Sequence, residues 1–80
     1  MHTDDLIVLA SRYAEQVGRS EATVSNWIVG HARLFERLRG GKGTTIRTYH
    51  RVLQWFSDHW PADLPWPSGI PRPHKSQEVA

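Results

Sequence analysis

Apolar residues in the first part of the chain recur three and four positions apart, the spacing that lines one face of an α-helix. Leu6, Leu9, Ala10, Tyr13, Ala14 and Val17 form the first such stripe and predict a helix over 3–17. Thr3 or Asp4 can cap it, Asp4 and Asp5 suit the positive end of its dipole, and Gly18 stands where a left-handed C-terminal cap belongs. Ser20 opens a second helix that ends at Gly30, with Val24, Trp27 and Ile28 turned inward and Thr23, Ser25 and Asn26 turned outward. A tight turn leads to a third helix over 32–39, which buries Leu34, Phe35 and Leu38 and leaves Arg33, Glu36 and Arg37 pointing away. Gly40, Gly41, Lys42 and Gly43 make a corner, since each helical glycine costs about 1 kcal/mol relative to alanine. Thr44 or Thr45 then caps a fourth helix along Ile46, Tyr49, Val52, Leu53, Phe56 and Trp60, and Pro61 stops it.

Beyond that point the pattern changes. Pro61, Pro65, Pro67, Pro71 and Pro73 impose an extended, polyproline-like course. Leu64, Trp66 and Ile70 are placed to lay the first half of this tail over the core, and the end from Pro71 has too little apolar content to fold and is expected to be loose. The expected organisation is a domain over 3–60 and a proline-rich tail over 61–80, with no internal repeat.

Composition narrows the class. Eighty residues make one small domain, and 39% hydrophobic content with four tryptophans is enough for a helical core without staples. The absence of cysteine excludes disulfides and thiolate metal sites. No apolar run approaches the ~18 residues of a membrane span, and the start MHTDDL lacks the basic opening of a signal peptide, so the expected location is the cytoplasm, with no membrane partner.

Charge changes the picture most. Between positions 31 and 51, Arg33, Arg37, Arg39, Lys42, Arg47 and Arg51 stand against Glu36 alone, a balance of +5, while the remainder carries four basic and seven acidic residues, a balance of −3. The net +2 therefore conceals one positive face on a mildly acidic body, the electrostatic footprint of a phosphate-backbone binder.

The stretch GRSEATVSNWIVGHARLFERLRGGKGTTIRTYHRVLQWF resembles the lambda-repressor-like (Cro and phage-repressor) helix-turn-helix superfamily over about residues 5–60. In that pattern a first helix ends in glycine, here Gly18, and a Ser-capped scaffold helix runs over 20–29 to Gly30. A recognition helix follows over 32–39, closed by Gly41 and Lys42, and a Thr-started helix from Thr45 completes the core. The proline-rich tail departs from the pattern. The resemblance implies an all-α, four-helix domain and a sequence-specific regulator of transcription, phage- or prophage-repressor-like, that binds double-stranded DNA as a homodimer and is nucleoid-associated. With 32–39 in the major groove, His31, Ala32, Arg33, Glu36 and Arg37 are the expected base contacts. Ser20, Thr23, Arg39, Lys42, Thr44, Thr45 and Arg47 are the expected phosphate contacts. Taken alone, SEATVSNWIVG also has the look of a recognition helix, but no helix would then precede the one over 3–17 to complete the arrangement.

Other chemistry is thin. Trp27, Phe35, Tyr49, Phe56 and Trp60 fall on buried stripes and are expected in the core, while Trp55 sits beside its stripe, ready to meet the tail or a second subunit. The five histidines have no metal-ligand spacing, and Asp58 beside His59 lacks a serine or cysteine nucleophile, so the expectation is no catalysis, metal, cofactor or small-molecule substrate. Two alternatives stand beside the DNA reading. One is a protein-interaction adaptor that uses the basic face and the proline-rich tail; the other is an RNA binder, although no aromatic row suited to base stacking is visible.

Overall fold

The computed structural model describes residues 3–74, and these form an all-α arrangement with no strand. Four helices follow in order: α1 (Thr3–Val17), α2 (Glu21–Val29), α3 (Leu34–Arg39) and α4 (Ile46–His59). Helices α1 and α2 each pack against α3 and α4, so α1 and α2 form the centre and the other two flank it.

Local chemistry accounts for most of the boundaries. The Ser20 hydroxyl accepts the Thr23 N–H at 3.1 Å and starts α2; Thr45 does the same for the Thr48 N–H, also at 3.1 Å, and starts α4. After α2, Gly30 takes φ +83°, a left-handed conformation open to glycine at little cost, and its N–H returns to the Asn26 carbonyl at 3.0 Å. Gly41 takes φ +87°, and the Gly41 and Lys42 amides close back on Leu38 and Arg37 at 3.1 and 3.0 Å. That closure places Lys42 at the end of α3.

The core gathers Leu6, Leu9, Ala10, Tyr13 and Ala14 from α1, Val24 and Ile28 from α2, Leu34, Phe35 and Leu38 from α3, and Tyr49, Val52, Leu53, Phe56 and Trp60 from α4 and its end. Phe56 is fully buried among rings: Tyr13, Trp55, Trp60 and Phe35 lie 5.5–6.1 Å from it, mostly edge-on, the arrangement that ring quadrupoles favour.

Four expectations about packing are corrected. Trp27, expected in the core, is 48% exposed, and Ser25, expected outside, is fully buried. Ile46 and Val17 continue the apolar stripes of their helices but are 63% and 37% exposed. Each is the terminal residue of its helix and overhangs the last layer of core; beside Ile46, the glycine corner carries few side chains that could cover it.

The segment after α4 folds back on the helices as a strap. Trp60 and Trp66 each donate their indole N–H to a carbonyl four residues on, Leu64 at 2.7 Å and Ile70 at 2.8 Å, and their rings meet at 5.0 Å. Leu64, Trp66 and Ile70 pack against the core. Gln16 ties to Asp63 at 3.1 Å. The expectation of a loose end from Pro71 is corrected for residues 71–74: Arg72 lies over the Trp66 ring and donates to the Ser57 carbonyl at 3.0 Å. The Ser57 hydroxyl donates to the Pro73 carbonyl, and Gln54 to that of His74 at 2.7 Å. Backbone carbonyls and one arginine supply what apolar content lacks. The rest of that expectation, over 75–80, lies outside the described residues.

Trp55 is half-buried within its own chain, edge-on to Tyr13 at 5.3 Å and stacked on His59 at 4.2 Å. Tyr49 joins α4 to α1 through its hydroxyl, which donates to Asp5 at 3.3 Å. Burial pushes the Tyr49 phenol up from its ordinary range, and the neighbouring Asp5 charge adds to this; burial alone raises Tyr13. A raised folded-state value means that both phenols stabilise the fold fully below the unfolded value of about 10 and lose that contribution as pH rises through the folded value. Melting temperature should therefore fall above about pH 10, and Tyr49→Phe should flatten the decline. An unchanged slope in that variant would remove Tyr49 from the account.

Candidate nucleic-acid interface

The candidate surface is built on α2, the turn over 30–33, α3, and the corner that leads into α4. Ser25 fixes its geometry. The Ser25 hydroxyl donates to the His31 carbonyl at 2.6 Å and accepts the Leu34 N–H at 3.1 Å. One buried oxygen thus holds both ends of the turn against α2 and satisfies the first amide of α3. The His31 ring Nδ1 accepts the Arg33 N–H at 3.2 Å, which satisfies the amide before it. These two bonds explain why α3 starts at Leu34, two residues later than expected: His31 and Ala32 belong to the turn and Arg33 is the residue before the helix.

The expected base contacts divide accordingly. Arg33 and Arg37 are four residues apart and share the outer face of α3, and both are exposed, as is Glu36 beside them. His31 and Ala32 are exposed within the turn, but the His31 Nδ1 is engaged in capping.

Among the expected phosphate contacts, Ser20 is the cap of α2 and shares a 3.0 Å hydroxyl contact with Thr23, which is half-buried. Thr45 is the cap of α4, and Thr44 is half-buried in the corner. Lys42 and Arg47 are exposed, and Arg51 lies four residues after Arg47 on the same side of α4. Arg39 is different: its guanidinium forms a two-pronged pair with Glu21, at 2.9 and 2.6 Å. The Glu21 carboxylate raises the Arg39 value further, first by hydrogen bonding and then by charge. No ion pair within the described residues engages Arg33, Arg37, Lys42, Arg47 or Arg51.

Sequence reasoning missed Ser25 and Glu21. Ser25 sits three residues before Ile28 and next to Val24, so it flanks the apolar stripe, and that position was the available signal. Nothing local marks Glu21, whose partner lies 18 residues away.

Among the described residues, no three His, Cys, Asp or Glu side chains gather in a metal-binding group, and no helix is long and apolar enough to cross a membrane. Every buried side-chain nitrogen or oxygen there has a hydrogen-bond partner. An open groove of about 610 Å³ lies on the α1 side, between Asp5, Val8 and Arg12 and the strap over 65–70. No family model, curated protein or solved structure matches the chain.

Proposed function

We propose that this chain is a sequence-specific double-stranded DNA-binding regulator of transcription, with a lambda-repressor-like helix-turn-helix in which α2 is the scaffold and α3 enters the major groove. The observation that carries this reading is the set of five exposed cations, Arg33, Arg37, Lys42, Arg47 and Arg51, which no carboxylate within the described residues neutralises, along α3, the corner and α4. An ordinary solvated surface mixes the two signs; here the basic charge collects on consecutive elements, and of its six cations Arg39 alone has an ion-pair partner among the described residues. In this reading Arg33 and Arg37 grip guanine O6 and N7 with two bonds each, and Glu36 accepts from a cytosine amine. Lys42 and Arg47 hold phosphates and set the register. Ser20 and Thr45 act first as caps; their positions at the starts of α2 and α4 also suit phosphate contact, because helix N-termini attract anions.

A module of this size buries only about 600–1,000 Å² on DNA, so regulation of this kind calls for two copies on half-sites roughly 34 Å apart. The proposal therefore includes a homodimer on DNA. Trp55 and the strap over 61–70 are largely committed within their own chain, which leaves Trp27, half-exposed on α2, and Ile46, exposed at the start of α4, among the large apolar side chains open to a second copy.

Selection of preferred sites from a random duplex pool tests the reading. A bidentate base contact discriminates by about 1–3 kcal/mol, so Arg33→Ala or Arg37→Ala should relax preference at one base position each. Both side chains are exposed, so thermal stability should change by less than about 0.5 kcal/mol. An enriched consensus unaffected by either substitution, but altered by Asn26→Ala, would assign base reading to α2 instead. A pool that yields no enriched duplex would end the proposal and return attention to a protein partner for the basic face.

A further inference from the structure

Within the basic segment Arg39 alone is withdrawn. Its Nε donates to one oxygen of Glu21 at 2.9 Å and its Nη2 to the other at 2.6 Å, the parallel arrangement that also suits a phosphate group. The pair joins the last residue of α3 to the first residue of α2, immediately after the Ser20 cap. The Arg39 side chain is 49% exposed and that of Glu21 26%, so the guanidinium is held at the surface, within reach of an incoming anion. An exposed, solvent-screened pair of this kind contributes little to stability, too little for structural support to be its main consequence. Its larger effect is on what Arg39 can bind.

We propose that Glu21 is an internal phosphate surrogate: it occupies the Arg39 guanidinium in the free chain, competes with the DNA backbone for it, and so sets the affinity of the domain below what its cations would otherwise give. The inference rests on the DNA-binding reading and deepens it, by naming the residue that limits binding and the charge it acts through. Glu21 is a positioning residue here, since it acts on the nucleic acid only through Arg39.

The test is a salt titration of a fluorescein-labelled random-sequence duplex of about 20 base pairs, two helical turns, followed by anisotropy. Freed by Glu21→Gln, Arg39 adds one phosphate contact per copy, and the slope of log affinity against log salt steepens by about 0.9 for each copy bound. Counted from about 1 M salt, where one such contact adds little, this is roughly eightfold tighter binding for each copy at about 0.1 M. The double variant Glu21→Gln with Arg39→Gln returns to the wild-type slope. Glu21→Asp keeps the charge but shortens the arm, and gives a slope between those of wild type and Glu21→Gln.

The failures are separable. Wild-type binding with an unchanged slope in Glu21→Gln overturns the surrogate role and leaves the DNA reading standing. A steeper slope in Glu21→Gln with Glu21→Asp identical to wild type traces the effect to net charge rather than to the grip on Arg39, and also overturns it. A wild-type chain that ignores the duplex at low salt overturns both.

Discussion

Ser25→Ala is expected to destabilise the fold by about 2 kcal/mol, the largest effect of any single-atom change near the candidate interface. The substitution removes one oxygen from a fully buried side chain, so it opens almost no cavity, and the loss is one of hydrogen bonding. The Leu34 N–H is buried and loses its acceptor, while the partly buried His31 carbonyl loses its donor. A buried group left without a partner costs about 1–3 kcal/mol; water can reach the carbonyl more readily than the amide, which holds the total near the middle of that range. For a domain of this size about 2 kcal/mol lowers the melting temperature by roughly 10 °C. The turn over 30–33 also loses its tie to α2, so the orientation of α3 relaxes and DNA affinity should fall beyond what the unfolded fraction explains. The neighbouring exposed Asn26→Ala serves as the reference and should stay within about 0.5 kcal/mol. Equal melting temperatures for the two variants would show that the hydroxyl is not what holds the turn.

The misplacement of Ser25 shows how much of this molecule was legible from periodicity. Along α1 and α4 the stripes run for four turns, so neighbouring positions reinforce one another and the inward faces were readable almost to the ends. Val17 and Ile46 failed because periodicity gives the direction of a side chain and not how far the core extends beneath it. The nine residues of α2 contain only Val24 and Ile28 as fixed points. At 3.6 residues per turn, Ser25 and Trp27 lie about 80° on either side of that stripe, so geometry alone does not choose between them. Hydrophobicity favoured Trp27. Packing favours Ser25, because α3 starts against that flank and needs an acceptor there. The strap failed in a similar way beyond Pro71: its attachments are hydrogen bonds between α4 side chains and distant carbonyls, which leave no pattern in a hydropathy profile.

The candidate site was legible as an inventory of charges but not as a set of available charges. Six basic residues were apparent between positions 31 and 51, and five of them stand without an ion pair within the described residues. That Arg39 is taken by Glu21 depends on how α2 and α3 approach, a tertiary fact with no local signature. The start of α3 depends likewise on two capping bonds across the turn. Residue type thus suggested the chemistry, while the packing of the two short helices decides which side chains are free to perform it.

Binding to duplex DNA should weaken by about a thousandfold between roughly 50 and 200 mM salt. The estimate follows from the exposed cations. If Arg33 and Arg37 read base edges, then Lys42, Arg47 and Arg51 remain for phosphates, and two copies on adjacent half-sites place about six such contacts on the duplex. Each releases a condensed counterion, so log affinity falls with log salt at a slope near −5, and a fourfold rise in salt then costs about three decades. Lys42→Ala and Arg47→Ala should each remove one contact per copy, reduce the slope by about 2 for the dimer, and weaken all sequences alike, since phosphates carry no sequence information. Equilibrium binding at a series of salt concentrations, on the preferred site and on a scrambled one, measures both quantities. A slope half as steep that is unchanged by Lys42→Ala would mean that one copy binds and that the corner does not touch the backbone. Affinity independent of salt would mean that the positive face is not meeting phosphate, and the DNA reading would fall with it.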